Sequence, residues 1–477
     1  MSTRKSLFFS FLDRYASLGI SIGSSMVIAR LLTPAEIGVF SVTMVLLTLV
    51  ASVRDLGAGQ YLVQERELTV DRIRAVWMVQ LGLGLAIALL VLIASYPVAV
   101  FYKEPRMRDI MLVIAVNYAV NPFGSLTYAW LMREMRFESL ALMRFLSAVT
   151  GAAVSLLMAW HGFGPISLAV GSLLATIVNA LMAVYFRPKS FPWMPGFSEI
   201  KRVLAFGSKL SASSVIAVFA GGSPELLLGK LQDLHAAGLY SRSNGLVGMF
   251  NRLIVDAVST VCLPWFSKQA REQDGFVDSF LKATAYVSVL GWSFCGFIVC
   301  LAHPMMRLLY GPQWDESVDL ARLLAVGTAF AAPAALCNAA MLSSGALAGL
   351  ARVTVASAIA TVALVALGAT HGMMAVGACV VLASGFTTVY AFRITATYMK
   401  LQWRGLFHVL RLSGQVSLLA AVGPLFALLV YGPRPDTIVL PLLLGGTLSF
   451  IGFIAGVLLF KHPLQEELKT VWSKIRR

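Results

Sequence analysis

Apolar runs of roughly 20 residues, the length a helix needs to cross a bilayer, follow one another along almost the whole chain, separated by short stretches of charge, Gly and Pro. This pattern predicts spans at 7–29, 36–55, 75–98, 107–130, 139–160 and 163–186, and then at 205–224, 236–265, 279–302, 315–339, 353–370 and 373–396. Two more, at 412–431 and 437–460, precede a basic tail. The longest clearly polar interruption, FRPKSFPWMPGFSEIKR, falls between the sixth span and the seventh. The expected fold is all-α: a polytopic membrane protein with about 14 transmembrane helices.

A duplication organises these spans. RLLTPAEIGVFS, Arg30 to Ser41, returns as KLQDLHAAGLYS, Lys230 to Ser241. Pro97 and Tyr102 ahead of Pro105 return as Pro304 and Tyr310 ahead of Pro312, and His161-Gly162 returns as His371-Gly372. Self-similarity at a nearly fixed long offset marks an internally repeated architecture. Six spans per repeat is an even number, so both repeats start on the same side of the membrane and are parallel. The division expected is an N-terminal six-helix lobe at 1–188 and a C-terminal six-helix lobe at 189–400. Two additional transmembrane helices and a basic cytoplasmic tail occupy 401–477.

Composition supports the membrane and excludes other classes. Hydrophobic residues make up 58% of the chain and charged residues 13%, whereas soluble domains carry about half and a quarter. The mean hydropathy is +0.79. The net charge of +15 is dispersed over loops, with no continuous basic domain to engage nucleic acid. Loops on the side of the N-terminus hold Arg54, Arg66, Arg72, Arg74, Arg133, Arg136, Arg187, Lys189, Lys268, Arg271, Lys400 and Arg404. Opposite loops hold few, among them Arg30, Lys103, Arg106 and Lys230. The positive-inside rule puts both termini in the cytoplasm. Arg4-Lys5 before an apolar run has the look of a signal peptide, but Asp13-Arg14 interrupt the run and no small-residue cleavage site closes it, so the first span is expected to be kept. Cys262, Cys295, Cys300, Cys337 and Cys379 lie inside apolar runs and read as small core hydrophobes.

Polar stripes inside spans are the candidate chemistry. In the second span Ser41, Thr48, Ser52 and Asp55 share one sector of the helix, and in the eighth Arg242, Arg252 and Asp256 do so, with Asp256 four residues beyond Arg252. The first span adds Asp13, Arg14, Ser17, Ser21, Ser24 and Ser25. Charges at depth are costly unless they face a wet cavity or a partner. One reading is therefore a substrate-binding cleft between lobes, carried by Arg14, Ser52, Asp55, Arg242, Arg252 and Asp256. The other is static structure, with Arg252 and Asp256 a satisfied pair and Arg14 snorkelling to the interface. Glu225 near the outer end of the seventh span, with Lys230, reads either as an ion-coupling site, shared with Asp55, or as loop charges in interfacial water. His161 and His371 read as cap residues of outer turns, and His235, His303, His408 and His462 form no metal-binding cluster. Nucleophile-elbow, Walker A and H-E-x-x-H spacings are missing, and no outer loop exceeds about twenty residues. The reading is not an enzyme, with no cofactor, no metal and no nucleic-acid partner.

The stretch RYASLGISIGSSMVIARLLTPAEIGVFSVTMVLLTLVASVRDLGAGQYLVQ resembles the N-terminal signature of bacterial polysaccharide-transport flippases, which share a superfamily with multidrug antiporters and the peptidoglycan-precursor flippase. PELLLGKLQDLHAAGLYSRSNGL resembles that family's seventh-to-eighth span segment, with Glu225 where the family often has Asp. The resemblance implies a flippase that moves an undecaprenyl-diphosphate-linked oligosaccharide from the cytoplasmic to the periplasmic leaflet of the bacterial inner membrane, for exopolysaccharide or lipopolysaccharide biosynthesis. It implies membrane lipids, a polysaccharide polymerase and a chain-length regulator as partners. Arg14, Arg242 and Arg252 suit a diphosphate, because guanidinium groups offer forked, permanently charged donors. A cation-coupled multidrug antiporter would share the fold but is expected to carry an acidic cavity, and a membrane polymerase is expected to carry a large outer loop.

The loop charges make the topology testable. Cysteine labelling from outside is expected to reach a Cys introduced at His161 or Pro435 and to miss one at Lys189, and the reverse pattern would refute the assignment.

Overall fold

The computed structural model of the chain describes residues 3–475 apart from 55–57, 66, 189–190 and 273–274; side chains are described outside 3–15, 18, 53–54, 58, 60, 64, 205–214, 468 and 471–475. Every regular element among the described residues is helical, as a chain inside hydrocarbon requires unless its strands close into a barrel. Contacts divide the chain into two units, Met1–Gly238 and Leu239–Arg477.

The first unit is built from α1 (Thr3–Leu31), α2 (Pro34–Arg54), α3 (Ala58–Gln64), α4 (Val70–Tyr102), α5 (Arg106–Arg133), α6 (Phe137–Trp160), α7 (Ile166–Phe186), α8 (Ile200–Leu231) and the first turn of α9 (Leu234–Val247). α4 packs on α5, α5 and α6 on α7, α1 on α6, and α2 along α8. Grouping by contact and grouping by repeat therefore differ by one helix: α8 follows the 188/189 boundary in sequence yet packs on α2 and α4. Polar side chains inside this unit meet one another. Asn117 donates to Ser172 at 3.1 Å and accepts from Thr176 at 3.1 Å, while Tyr118 donates to the Leu47 carbonyl at 2.7 Å. Such bonds join helices where no water competes.

The repeated motif marks two capped helix starts that cross. Thr33 and Glu36 form a reciprocal capping box, with Thr33 N–H donating to the Glu36 carboxylate at 2.8 Å and Glu36 N–H to Thr33 Oγ1 at 3.3 Å. Asp233 takes the same place before α9 and accepts from Ala236 N–H at 2.7 Å. Five residues beyond each cap lies a glycine, and the two glycines face each other's helix start. A Cβ on Gly38 would lie 1.7 Å from the Leu234 carbonyl oxygen, and one on Gly238 would lie 1.8 Å from that of Pro34. Glycine is required at both because backbone meets backbone.

The second unit continues α9 through a π-helical turn, Asn251–Val255, into α10 (Asp256–Glu272). α11 (Phe276–Leu309) and a 3-10 turn, Pro312–Ser317, lead to α12 (Val318–Ala331), a second 3-10 turn at Ala332–Ala334, and α13 (Cys337–Ser343). Then follow α14 (Leu347–Ala369), α15 (Met373–Met399), α16 (Trp403–Tyr431), α17 (Val439–Leu459) and α18 (Leu464–Ile475). Phe250, Phe266, Phe280 and Leu336 centre its core, and α16 packs between α11 and α17.

Twelve segments among the described residues are long and apolar enough to cross a membrane. α1 and α8, at 29 and 32 residues, are long enough to join them and give the fourteen that the hydropathy pattern predicts. Two expected spans are interrupted by a π or 3-10 turn, and a third, α11, is kinked at Leu301. The one predicted at 236–265 contains the π turn, and the one at 315–339 breaks at Pro333, whose missing N–H would sit opposite the Ala329 carbonyl; Trp292 Nε1 donates to that carbonyl instead, at 2.7 Å. α3 and α18 lie outside the predicted spans because they are short. α18 is tied down by a 2.8 Å ion pair from Lys282 to Glu466, whose carboxyl that ammonium holds below its usual range, and by Tyr286 donating to the Pro463 carbonyl at 3.3 Å.

Gly38→Ala is expected to cost about 3 kcal/mol through overpacking, read as a lower unfolding midpoint and less monodisperse protein in detergent. Gly82→Ala, where a Cβ meets nothing within 4 Å, is the matched control. Equal behaviour of the two variants would show that the crossing tolerates a side chain.

Candidate functional site

The polar residues singled out in the sequence fall into separate local settings. In the first unit, Asp55 lies outside the described residues and Arg14 lies on α1 with its side chain outside them. Ser52 is half-buried near the end of α2, and its hydroxyl donates back to the Leu49 carbonyl at 2.6 Å, while Thr48 one turn earlier is exposed. Ser24 likewise donates to the Ser21 carbonyl, at 3.1 Å.

Glu225 has a different setting. It follows Pro224 in α8, where the missing N–H frees the Ala220 carbonyl; Ser223 Oγ donates to that carbonyl at 2.8 Å and so keeps the turn closed. Gly222 and Gly229 let α8 lie close on Val45 and Val42 of α2. The Glu225 carboxyl is buried, at 7% exposure, and no ion pair reaches it among the described residues. Lys230 does not neutralise it. That ammonium donates to the Phe101 carbonyl at 2.5 Å and sits 3.8 Å over the Phe101 ring, capping the end of α4. Ser52 and Glu225 lie toward opposite ends of the α2–α8 seam, so the fold does not bring these two together.

In the second unit the three charges of the eighth span part company. The Arg242 guanidinium lies 5.6 Å over the Tyr310 ring and 5.7 Å over that of Trp314, and both rings are buried. The neighbouring Ser243 Oγ donates to the Ser317 carbonyl at 3.0 Å, which fixes α9 against the same connection. This aromatic seat is a feature that sequence reasoning missed, although Tyr310 had stood out as a repeat partner of Tyr102. Tyr102 instead donates to the Leu226 carbonyl, at 3.3 Å.

Arg252 lies about midway along the α9–α10 segment, within the π turn, and is exposed. Its Nη2 donates to the Gly245 carbonyl at 3.0 Å. Asp256 opens α10 and is also exposed, yet no ion pair joins the two among the described residues. The static pair expected from their four-residue spacing is thus not formed. Part of the reason lies in the helix itself: Gly245 and Gly248 leave this stretch without side-chain support, and the π turn changes the register between α9 and α10. Single π turns recur at functional positions, and the two glycines were the signal that could have located this one.

A family model described as polysaccharide biosynthesis protein matches residues 27–319. The chain is 25% identical over 329 residues to the succinoglycan biosynthesis transport protein ExoT of Rhizobium meliloti (strain 1021), covering 68% of this chain and 66% of that one. It is 20% identical over 315 residues to the lipopolysaccharide biosynthesis protein WzxC of Escherichia coli (strain K12), covering 65% and 63%. The match thus spans just under two thirds of these relatives. Among solved structures, the lipid II flippase MurJ in an inward closed conformation superposes with a TM-score of 0.76 over 96% of this chain and 99% of that one, at 13% identity. An inward-facing multidrug resistance MATE family transporter of the MOP superfamily gives 0.65 over 80% and 96%, at 15% identity. At such identities the likeness is one of fold.

Proposed function

The chain belongs to the polysaccharide biosynthesis protein family, and we propose from this premise that it is a membrane transporter for undecaprenyl-diphosphate-linked oligosaccharide repeat units. It moves them from the cytoplasmic to the periplasmic leaflet of the bacterial inner membrane by alternating access, and both termini are cytoplasmic. Relatives named for succinoglycan transport and lipopolysaccharide biosynthesis support this class of cargo.

The observation that carries the reading is Arg252: an exposed guanidinium midway along a span, held by one backbone carbonyl and not neutralised by Asp256. A permanent charge at such depth costs several kcal/mol against hydrocarbon and is retained where it meets water or an anionic ligand. Diphosphate oxygens match its forked donors. Arg14, Ser52, Asp55, Arg242 and Asp256 complete the substrate set in this reading, with hydroxyls and carboxylates meeting the sugar. Glu225, buried beside Pro224 within α8 and in no ion pair among the described residues, is the group for a coupling cation, with Asp55 as its companion. Delivery to a polysaccharide polymerase and a chain-length regulator follows from the same proposal.

Voltage gives the reading a second handle. Each net negative charge moved outward gains about 2.3 kcal/mol per 100 mV of inside-negative potential. In proteoliposomes holding a lipid-diphosphate oligosaccharide, an inside-negative potential is expected to speed outward translocation. Arg252→Ala is expected to slow it about tenfold or more, the loss of one charge-assisted contact, with inserted protein equally abundant. Glu225→Gln is expected to remove the dependence on an imposed cation gradient while leaving the voltage response. Translocation indifferent to both potential and Arg252 would refute the mechanism, and uptake of lipophilic cations alone would assign the chain to drug antiport.

A further inference from the structure

The second unit contains a crevice of about 680 Å³ between α11, α12, α15 and α16 that the transport reading does not use. Trp292, Val299, Phe330, Phe392, Leu406 and Leu410 form much of its wall. Two of the three side chains there that carry an N–H or O–H donor are already turned to backbone, Trp292 Nε1 donating to the Ala329 carbonyl at 2.7 Å and Thr388 Oγ1 to the Phe330 carbonyl at 2.9 Å, and the third, Trp403, stands at the end of the crevice. A space this apolar does not hold ordered water, which needs two or more polar partners. Val389 and Phe407 on its border are 68% and 66% exposed, so it opens to the hydrocarbon that surrounds α15 and α16 in a bilayer.

Charge says what fills it. The crevice runs from Trp403 at the start of α16 to Ala421 near that helix's middle. At the Trp403 end, where α15 stops and α16 starts, Arg393, Lys400, Arg404 and Arg411 are all exposed. Among the described residues no carboxylate pairs with any of the four. Elsewhere in the same unit Lys282 meets Glu466 at 2.8 Å, Arg307 meets Asp315 at 2.5 Å and Arg322 meets Asp319 at 2.9 Å. The loop charges assign this end to the cytoplasmic face, the depth at which Trp anchors and basic residues meet lipid headgroups.

We propose that this crevice binds one anionic phospholipid of the cytoplasmic leaflet, with an acyl chain between α15 and α16 and the phosphate against Lys400 and Arg404. An acyl chain of ordinary length fits a cavity of this size, whereas most of an undecaprenyl chain would remain outside it. Cations that no carboxylate pairs with among the described residues select a net negative headgroup over a zwitterionic one.

The test is native mass spectrometry of the full chain in detergent, titrated with phosphatidylglycerol or phosphatidylcholine of the same acyl chains. Phosphatidylglycerol is expected to be retained at a concentration at least tenfold lower. The surface double variant Lys400→Gln/Arg404→Gln is expected to abolish that preference while leaving phosphatidylcholine binding unchanged. Gly296→Leu, which projects into the crevice where a Cβ meets only Ala421 Cβ at 3.8 Å, is expected to weaken both lipids severalfold. Equal retention of the two lipids, or a preference that survives the double variant, overturns the proposal. So does undecaprenyl phosphate binding with the sensitivity expected for phosphatidylglycerol while phosphatidylglycerol itself fails to bind.

Discussion

At the crossing of the first turns of α2 and α9 backbone meets backbone with no room for a side chain, and this constrains much of what surrounds it. Each turn offers a carbonyl, from Pro34 or Leu234, to the other's glycine at a distance that leaves no room for a side chain. For that to hold, both helices must start at a fixed residue, and each has a cap that fixes it: Thr33 with Glu36, and Asp233. The same spacing from cap to glycine at both sites gives the repeated motif a physical reason. With α2 so placed, Gly222 and Gly229 bring α8 onto Val45 and Val42, and Glu225 is buried one turn beyond Gly222.

A second constraint is the bilayer's intolerance of unpaired backbone. At two prolines, Pro224 within α8 and Pro333 at the end of α12, a side chain takes the carbonyl that the ring leaves open. Ser223 takes that of Ala220 before Pro224, and Trp292 takes that of Ala329 before Pro333. These repairs have different consequences. The first lies next to a buried carboxyl in α8, whereas the second removes a polar group from the wall of the apolar crevice. Local repair thus decides which parts of the chain remain polar in the membrane and which become hospitable to a lipid chain.

Much of the architecture was legible in the sequence because the hydropathy signal is long; helix type and span positions depend on it, while the short motif shared by Arg30–Ser41 and Lys230–Ser241 marks two helix starts. The less legible features depend on a single missing N–H or a neighbour far along the chain. Nothing local in Arg242 announces that Tyr310 and Trp314 will lie under its guanidinium. The four-residue interval from Arg252 to Asp256 predicts a pair on an ideal helix, but the backbone at this point is π-helical and Arg252 turns to Gly245 instead. Lys230 and Glu225 read from the sequence as one ion site or as loop charges in interfacial water, yet the lysine caps α4, a relation only the fold could reveal.

The two arginines of the eighth span separate two ways of keeping a cation in a membrane. At the position where the first repeat has Val42, Arg242 is seated against two buried rings, and the ring quadrupoles and packing compensate part of its desolvation. Such a cation is fixed, and moving it would expose aromatic surface. At the position where the first repeat has Ser52, Arg252 is exposed and bound to one carbonyl oxygen, and among the described residues it forms no ion pair with Asp256 four residues on. Exchanging that carbonyl for a stronger acceptor requires only rotation of a side chain, because no buried packing depends on it. A ligand carrying phosphate oxygens offers that stronger acceptor, so the less encumbered of the two arginines is the one whose contacts can change during transport.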